Sequence, residues 1–380
     1  MKLFHCGRCA NLLYFENCRC TSCGSGLGFA PDVMDLLAIE PKDDGTWAAV
    51  ARGDLYRLCG NYQSQGTCNW LIPLTDPHAF CVACRLNRTI PDLSVPKNQD
   101  LWRRLEKEKR RLVYSVLRLK LPCEPRNEDQ YGMAFDFLAD QPAMFDERSK
   151  VKTGHANGVI TVNIAEADPV ERERMRSQMA EPYRTVLGHF RHESGHYYWD
   201  LLVRSGPWLG PVREMFGDDT RDYKQAMDQH YQCGPPGDWQ SWYISAYASS
   251  HAWEDWAETW AHYLHMVDTL ETAWQFGLRL HAEQSPTRSE LDPAFDPYQA
   301  DDFDALIKHW FPLTLALNSL NRSMGHEDAY PFVLAAPEAP TRCHGDYRLP
   351  GQSRFRGNPG TPASGRAGDT GDGDQLHHLQ

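Results

Sequence analysis

The 380-residue chain carries 39 Lys plus Arg against 51 Asp plus Glu, a formal charge of -12. That acidity argues against nucleic acid as a partner, and no stretch approaches the roughly 20 consecutive apolar residues that a membrane-spanning helix needs. The length allows two or three domains and a substantial core, and Cys6 and Cys9 stand where a signal peptide would need its apolar run, so the expected location is the cytoplasm.

Nine of the 12 cysteines precede residue 85, several of them as C-x-x-C pairs. In a reducing compartment this pattern reads as metal binding rather than disulfide bonding. Cys6-x2-Cys9 and Cys20-x2-Cys23 are two knuckles whose four thiolates suit a tetrahedral zinc ribbon. Cys18 competes with Cys20, which is preferred because it completes the second C-x-x-C. Cys59, Cys68, Cys81 and Cys84 form a wider group with one C-x-x-C. The surrounding segment, 52–94, is poor in aliphatic residues, so a second structural zinc is expected to hold it; iron is a chemical alternative in a four-thiolate site. Residues 1–95 therefore read as a cysteine-rich module, against the plainer reading of free thiols in a small core.

From 98 to 120 the pattern turns helical, with Leu101, Leu105, Leu112 and Val116 as an apolar stripe. The remaining faces carry Arg103, Arg104, Lys107, Lys109, Arg110, Arg111, Arg118 and Lys120, which we take as a solvated surface rather than a site for an acidic partner. The segments 134–138 and 158–164 read as strands, the second either a plain internal strand or an edge able to accept an extended peptide. A charged helix over 170–179 leads into the segment Gly188 to Asp200, which contains His192-Glu193-Ser194-Gly195-His196.

This H-E-x-x-H places two imidazoles four residues apart, on one face of a helix, where they can share one Zn²⁺. Glu193 then lies beside the metal and can take a proton from a water that the metal acidifies. With 16 histidines in the chain, chance is the competing explanation. The apolar residues Val186, Leu187 and Phe190 before the motif, and Trp199, Leu201 and Leu202 after it, speak for a real helix. Gly195 is its weak point, at a cost of about 1 kcal/mol. The Gly- and Pro-rich stretch 205–240 reads as a partly helical insertion able to cover a cleft. Residues 239–265 read as one or two buried helices, with Glu254 and Glu258 four apart on one face as rival third ligands. A further helix is expected over 302–320, and 336–380 reads as a disordered tail.

C-N-W-L (Cys68 to Leu71), C-R-L-N-R-T-I-P-D-L (Cys84 to Leu93), G-H-F-R-H-E-S-G-H-Y-Y-W-D and E-D-W-A-E-T-W-A-H-Y (Glu254 to Tyr263) together resemble the bacterial family of zinc-ribbon-containing, zinc-binding metallopeptidases. The likeness covers roughly residues 4–334. The catalytic part is similar to the gluzincin group, including anthrax lethal factor, in which an E-x-x-A-E segment supplies the third ligand and a tyrosine seven residues earlier lies near the metal. The resemblance thus implies an α+β fold, a mostly helical zincin-type domain over 96–335 with a small sheet, behind the zinc-ribbon module. It implies His192, His196 and Glu254 as zinc ligands, with Glu258 behind them. Glu193 becomes general base and acid, and Tyr247 an oxyanion donor, with His251 and His262 as alternative donors and Asp200 as a possible partner of an imidazole. The expected activity is hydrolysis of a peptide or protein substrate using one catalytic and two structural Zn²⁺. A regulatory or binding protein with a silent H-E-x-x-H is the alternative.

Overall fold

The computed structural model describes residues 1–140, 151–178, 184–280, 295–300 and 302–332. The expected tail, 336–380, lies outside them. Strands β1 (Phe4–His5) and β2 (Leu12–Leu13) form a hairpin that carries the first knuckle. A five-stranded antiparallel meander follows, made of β3 (Gly26–Ala30), β4 (Asp35–Pro41), β5 (Trp47–Ala49), β6 (Leu55–Leu58) and, after the short helix α1 (Gly60–Gln65), β7 (Leu71–Pro73). A bridge between Phe29 and Trp70 brings the end of the meander back beside its start. The core here is aromatic: Phe29 lies 5.0 Å from Phe15 and 4.8 Å from Trp70, and Phe15 lies 5.5 Å from Tyr114 of the next long helix. Such ring pairs prefer edge-to-face or offset contact at these separations, so they fasten the cysteine-rich region to the rest of the chain.

After α2 (Val82–Arg85) and β8 (Asn87–Thr89) comes that helix, α3 (Pro96–Arg118), entered through Pro96, whose missing N–H costs nothing in the first turn. Leu101, Leu105, Leu112 and Val116 are buried as their spacing requires. The cationic faces are only in part the solvated surface expected from their composition: Arg103, Arg104 and Lys120 are exposed, but others turn inward. Lys109 and Arg110 are buried, Lys109 pairing with Glu106 at 2.9 Å and Arg110 donating to the Thr67 carbonyl. Arg111 bonds Glu16 at 2.7 Å, Arg118 bonds Glu271 at 3.0 Å, and Arg104 donates to the Ala167 carbonyl at 3.1 Å. A buried cation is tolerable only when paired. Apart from Glu106, one turn away on α3, these partners come from distant parts of the chain, which helical periodicity could not reveal.

The second sheet has the order β10-β11-β9-β8, with β9 (Ala134–Leu138) parallel to both neighbours and β10 (Gly154–Ala156) antiparallel to β11 (Val159–Asn163). The segment 158–164 is therefore an internal strand, and the edge belongs to β10. Asn157 and Gly158, with φ of 49° and 80°, make the tight hairpin between them. Left-handed conformation at both positions matches the twist of a two-residue loop, and Asn-Gly is its strongest sequence signal.

Helix α4 (Pro169–Gln178) precedes α5 (Val186–Tyr198), which is capped by Thr185 accepting from Gly188 N–H at 2.9 Å and runs into a wider turn at Trp199–Val203. The insertion holds α6 (Leu209–Phe216) and α7 (Tyr223–Cys233). Helix α8 (Ala252–Gln275) packs along α5, and α9 (Phe303–Ser323) closes on it through Trp310 and Tyr330, whose rings are 4.9 Å apart. Gly195 is a requirement of this packing rather than a tolerated weakness: a Cβ there would sit 2.9 Å from the Ala257 Cα. Trp256 and Trp260 close the seam by donating to the Gly195 carbonyl at 2.9 Å and to Ser194 Oγ at 3.1 Å. The result is an α+β architecture, mostly helical behind a strand-rich cysteine module. Among the described residues no helix is long and apolar enough to cross a membrane.

Candidate metal centres

The seam between α5 and α8 brings His192, His196 and Glu254 together. His192 Nε2 and His196 Nε2 are 3.2 Å apart, and Glu254 Oε2 lies 3.0 Å from the first and 3.5 Å from the second. Glu254 Oε2 is buried and has no hydrogen-bond partner among the described residues other than these imidazoles. Ligand atoms about 2.1 Å from a tetrahedral ion stand about 3.4 Å from one another, which is the spacing found here. Burial alone would lower the His192 pKa, but Glu254 and Glu258 outweigh it and raise it well above the usual histidine value. Burial likewise opposes ionisation of Glu254, yet His196 and His192 hold its carboxyl far below the usual range. The pocket stabilises positive charge at the point where the three ligand atoms converge, and the donor set fits a divalent ion with a taste for nitrogen and oxygen.

Glu258 approaches from the other side. Its Oε1 lies 2.7 Å from His192 Nδ1, and its Oε2 accepts from Ser245 Oγ at 2.7 Å. A carboxylate on the far nitrogen fixes which tautomer presents Nε2 and makes the imidazole a better ligand. The two rival carboxylates are thus separated by geometry, Glu254 in front of the imidazoles and Glu258 behind. His196 is held differently, its ring 3.9 Å from that of Trp253. Its Nδ1 has no hydrogen-bond partner among the described residues, and Asp200 instead forms an ion pair with Arg204 at 3.1 Å.

Glu193 follows His192 on α5, is half-buried, and acts electrostatically on both Tyr223 and Tyr247. The Tyr247 ring lies 5.9 Å from that of His192, although the seven residues that separate it from Glu254 are not two turns of one helix. Tyr247 belongs to a short 3-10 turn, Tyr247–Ser250, and His251 is extended, so α8 begins only at Ala252. Burial first, then Glu254, raises the Tyr247 phenol well above its usual pKa, which keeps it a proton-bearing donor. The alternative donors are otherwise occupied. His251 caps α8, accepting from Trp253 N–H at 3.1 Å, and His262 shares a 2.7 Å hydrogen bond with Tyr330. Tyr223, unanticipated from the sequence, donates to Glu254 Oε1 at 2.8 Å from a position 31 residues upstream.

The cysteines gather into two clusters, Cys6/Cys9/Cys20/Cys23 and Cys59/Cys68/Cys81/Cys84, each with its sulfurs within 4.8 Å of one another. Separations of 3.6 Å for Cys6–Cys23 and Cys9–Cys20, and 3.8 Å for Cys68–Cys81, exceed any disulfide and match the roughly 3.8 Å edge of a zinc tetrathiolate. Cys18 stays outside the first cluster, its sulfur 3.8 Å from the Glu16 carbonyl. The second cluster is buried throughout and receives backbone N–H groups from Trp70 on Cys68 at 3.3 Å and from Cys81 on Cys59 at 3.4 Å. Four thiolates about one divalent ion keep a negative net charge, and the buried Arg110 guanidinium beside this cluster offsets it.

Two cysteine clusters ahead of a His, His, Glu convergence on packed helices make three groups able to hold a metal ion. Along residues 98–340 the chain matches the family described as "Putative zinc-binding metallo-peptidase", and along 3–95 a zinc-ribbon domain. The chain belongs to this family, as its motifs led us to expect. It is 44% identical over 339 residues to a protein of Mycobacterium bovis, a span covering 88% of this chain and 92% of the relative. Proteins of two Mycobacterium tuberculosis strains match to the same extent, and all three are described as uncharacterized. No solved structure matches.

Proposed function

We propose that the chain is a cytoplasmic zinc peptidase of gluzincin type, acting on peptide or protein substrates. His192, His196 and Glu254 would hold the catalytic Zn²⁺, and the two cysteine clusters one structural Zn²⁺ each. The observation that carries this reading is the convergence of two Nε2 atoms and one buried carboxylate oxygen at ligand spacing. Zinc in that position supplies a Lewis acid and lowers the pKa of a water it holds to about 7. Glu193, adjacent to the ligands in sequence but free of them, takes the water proton and delivers it to the leaving amine. Tyr247 donates a hydrogen bond to the oxyanion that develops on the scissile carbonyl. Glu258 keeps His192 oriented through both steps. Strand β10, the edge of its sheet, offers backbone groups for an extended substrate, and its His155 ring stands 6.3 Å from that of His196.

The test is Glu193→Gln in the full chain, assayed for bound metal and for cleavage of a peptide library with and without a chelator. Metal should be retained, and chelator-sensitive hydrolysis should fall by at least the 10²- to 10⁴-fold that general acid–base catalysis contributes, to an order of magnitude. Hydrolysis that survives the substitution, or that the unsubstituted chain never shows, overturns the proposal.

A further inference from the structure

The insertion between the two metal-bearing helices reaches back to the site through the Tyr223 phenol. Tyr223 opens α7, and its O–H donates to Glu254 Oε1 at 2.8 Å while Glu254 Oε2 faces the two imidazoles. The start of α7 is itself pinned to the start of α8. His251, whose Nδ1 accepts from Trp253 N–H, uses Nε2–H to reach the Arg221 carbonyl at 3.1 Å. The Tyr223 ring then stands edge-on to His251 at 5.4 Å and to Trp253 at 5.7 Å, and Trp253 lies against His196. Tyr223 retains 41% of its accessible surface, so core filling is not its main role. A carboxylate can ligate a metal through one oxygen or both, and a second bound oxygen would occupy the position that a water or a substrate carbonyl needs.

We infer that Tyr223 is a positioning residue of the metal centre: by engaging Oε1 it restricts Glu254 to ligation through Oε2 and so keeps one coordination position open. The inference rests on the reading of His192, His196 and Glu254 as ligands. It also gives the 205–240 insertion a definite task, since displacement of α7 would release Oε1 and change the ligation of the metal without moving either histidine.

The experiment compares the full chain with Tyr223→Phe, which keeps the ring and its edge contacts and loses only the hydroxyl. Both are loaded with Co²⁺, and the spectrum of a His192→Ala/His196→Ala variant loaded in the same way is subtracted to remove the thiolate sites. Zn²⁺ affinity of the remaining site is measured by competition with a chelator. The expected results for Tyr223→Phe are affinity weakened by about 10- to 100-fold, the usual scale for a group that orients a ligand, and a weaker d–d band as Glu254 becomes bidentate. Tyr247→Phe, acting on substrate, should leave both readouts unchanged. A Tyr223→Phe protein with wild-type affinity and spectrum overturns this inference alone. No difference spectrum in the unsubstituted chain overturns both this inference and the metal-centre reading beneath it.

Discussion

The two cysteine clusters have the same ligands and opposite surroundings. Cys6 and Cys9 sit on a two-stranded hairpin and Cys20 and Cys23 on the turn that follows it, with Cys9 and Cys23 exposed. Cys59, Cys68, Cys81 and Cys84 are all buried, with Arg110 of α3 beside them and Glu106 Oε2 4.0 Å from the Cys84 sulfur. A metal in the first closes a local loop. A metal in the second would sit against Arg110 and Glu106 of α3, which in turn packs on α5 and its histidines. The stability each site contributes should therefore follow what it joins and not how many sulfurs it has.

The largest effect is expected from Cys68→Ser. Losing a ligand in the buried cluster leaves uncompensated polar groups beside a guanidinium, and a structural zinc contributes on the order of 10 kcal/mol of apparent binding free energy. The melting temperature should fall by about 10 °C or more, with the histidine-site metal lost as α3 loosens. A fall of only a few degrees, with that metal retained, would show that the buried cluster does not fasten the two regions.

Next comes the choice between carboxylates, which contrasts a site built across two helices with clusters built from knuckles. Glu254→Ala should lose the histidine-site metal, whereas Glu258→Ala should keep it with about a 10- to 100-fold loss of affinity. Metal titration of the purified variants decides this, and the reverse order would make Glu258 the ligand.

Graded chelation should then resolve three metals per chain in steps, the exposed cluster releasing its zinc before the buried one. Near-ultraviolet circular dichroism should change little in the first thiolate step and collapse in the second, because Trp70, whose backbone N–H bonds Cys68 Sγ, is fully buried in the aromatic core. Release of both thiolate metals together would erase the distinction between them. Cys9→Ser should remove one zinc and lower the melting temperature by only a few degrees, about 1–2 kcal/mol in a chain of this size. Cys18→Ser, outside either cluster, should stay within about 0.5 kcal/mol of the parent and keep every metal. A lost zinc in that variant would place Cys18 among the ligands.

What the sequence determined by itself was whatever depends on short spacing. A C-x-x-C knuckle and an H-E-x-x-H helix bring their donors together within one turn, so their chemistry can be read before any tertiary contact exists. The apolar stripe of α3 and the strands 134–138 and 159–163 were legible for the same reason. The Asn157-Gly158 pair marks a hairpin turn by its residues alone, whereas the edge position of β10 follows only from the strand order. Tertiary structure decided the rest. Glu254 and Glu258 are equivalent by periodicity and differ only in how α8 lies along α5, a distance set by Gly195 against Ala257. Tyr247 reaches His192 through a turn rather than a helix, and Tyr223 reaches Glu254 across the insertion, neither of them marked by a local pattern. Lys109, Arg110 and Arg118 look like surface residues until their partners, 22, 43 and 153 positions away, fold against them. Side-chain chemistry names the groups able to bind or move a charge, but their pairing depends on desolvation and approach, which exist only in the folded chain.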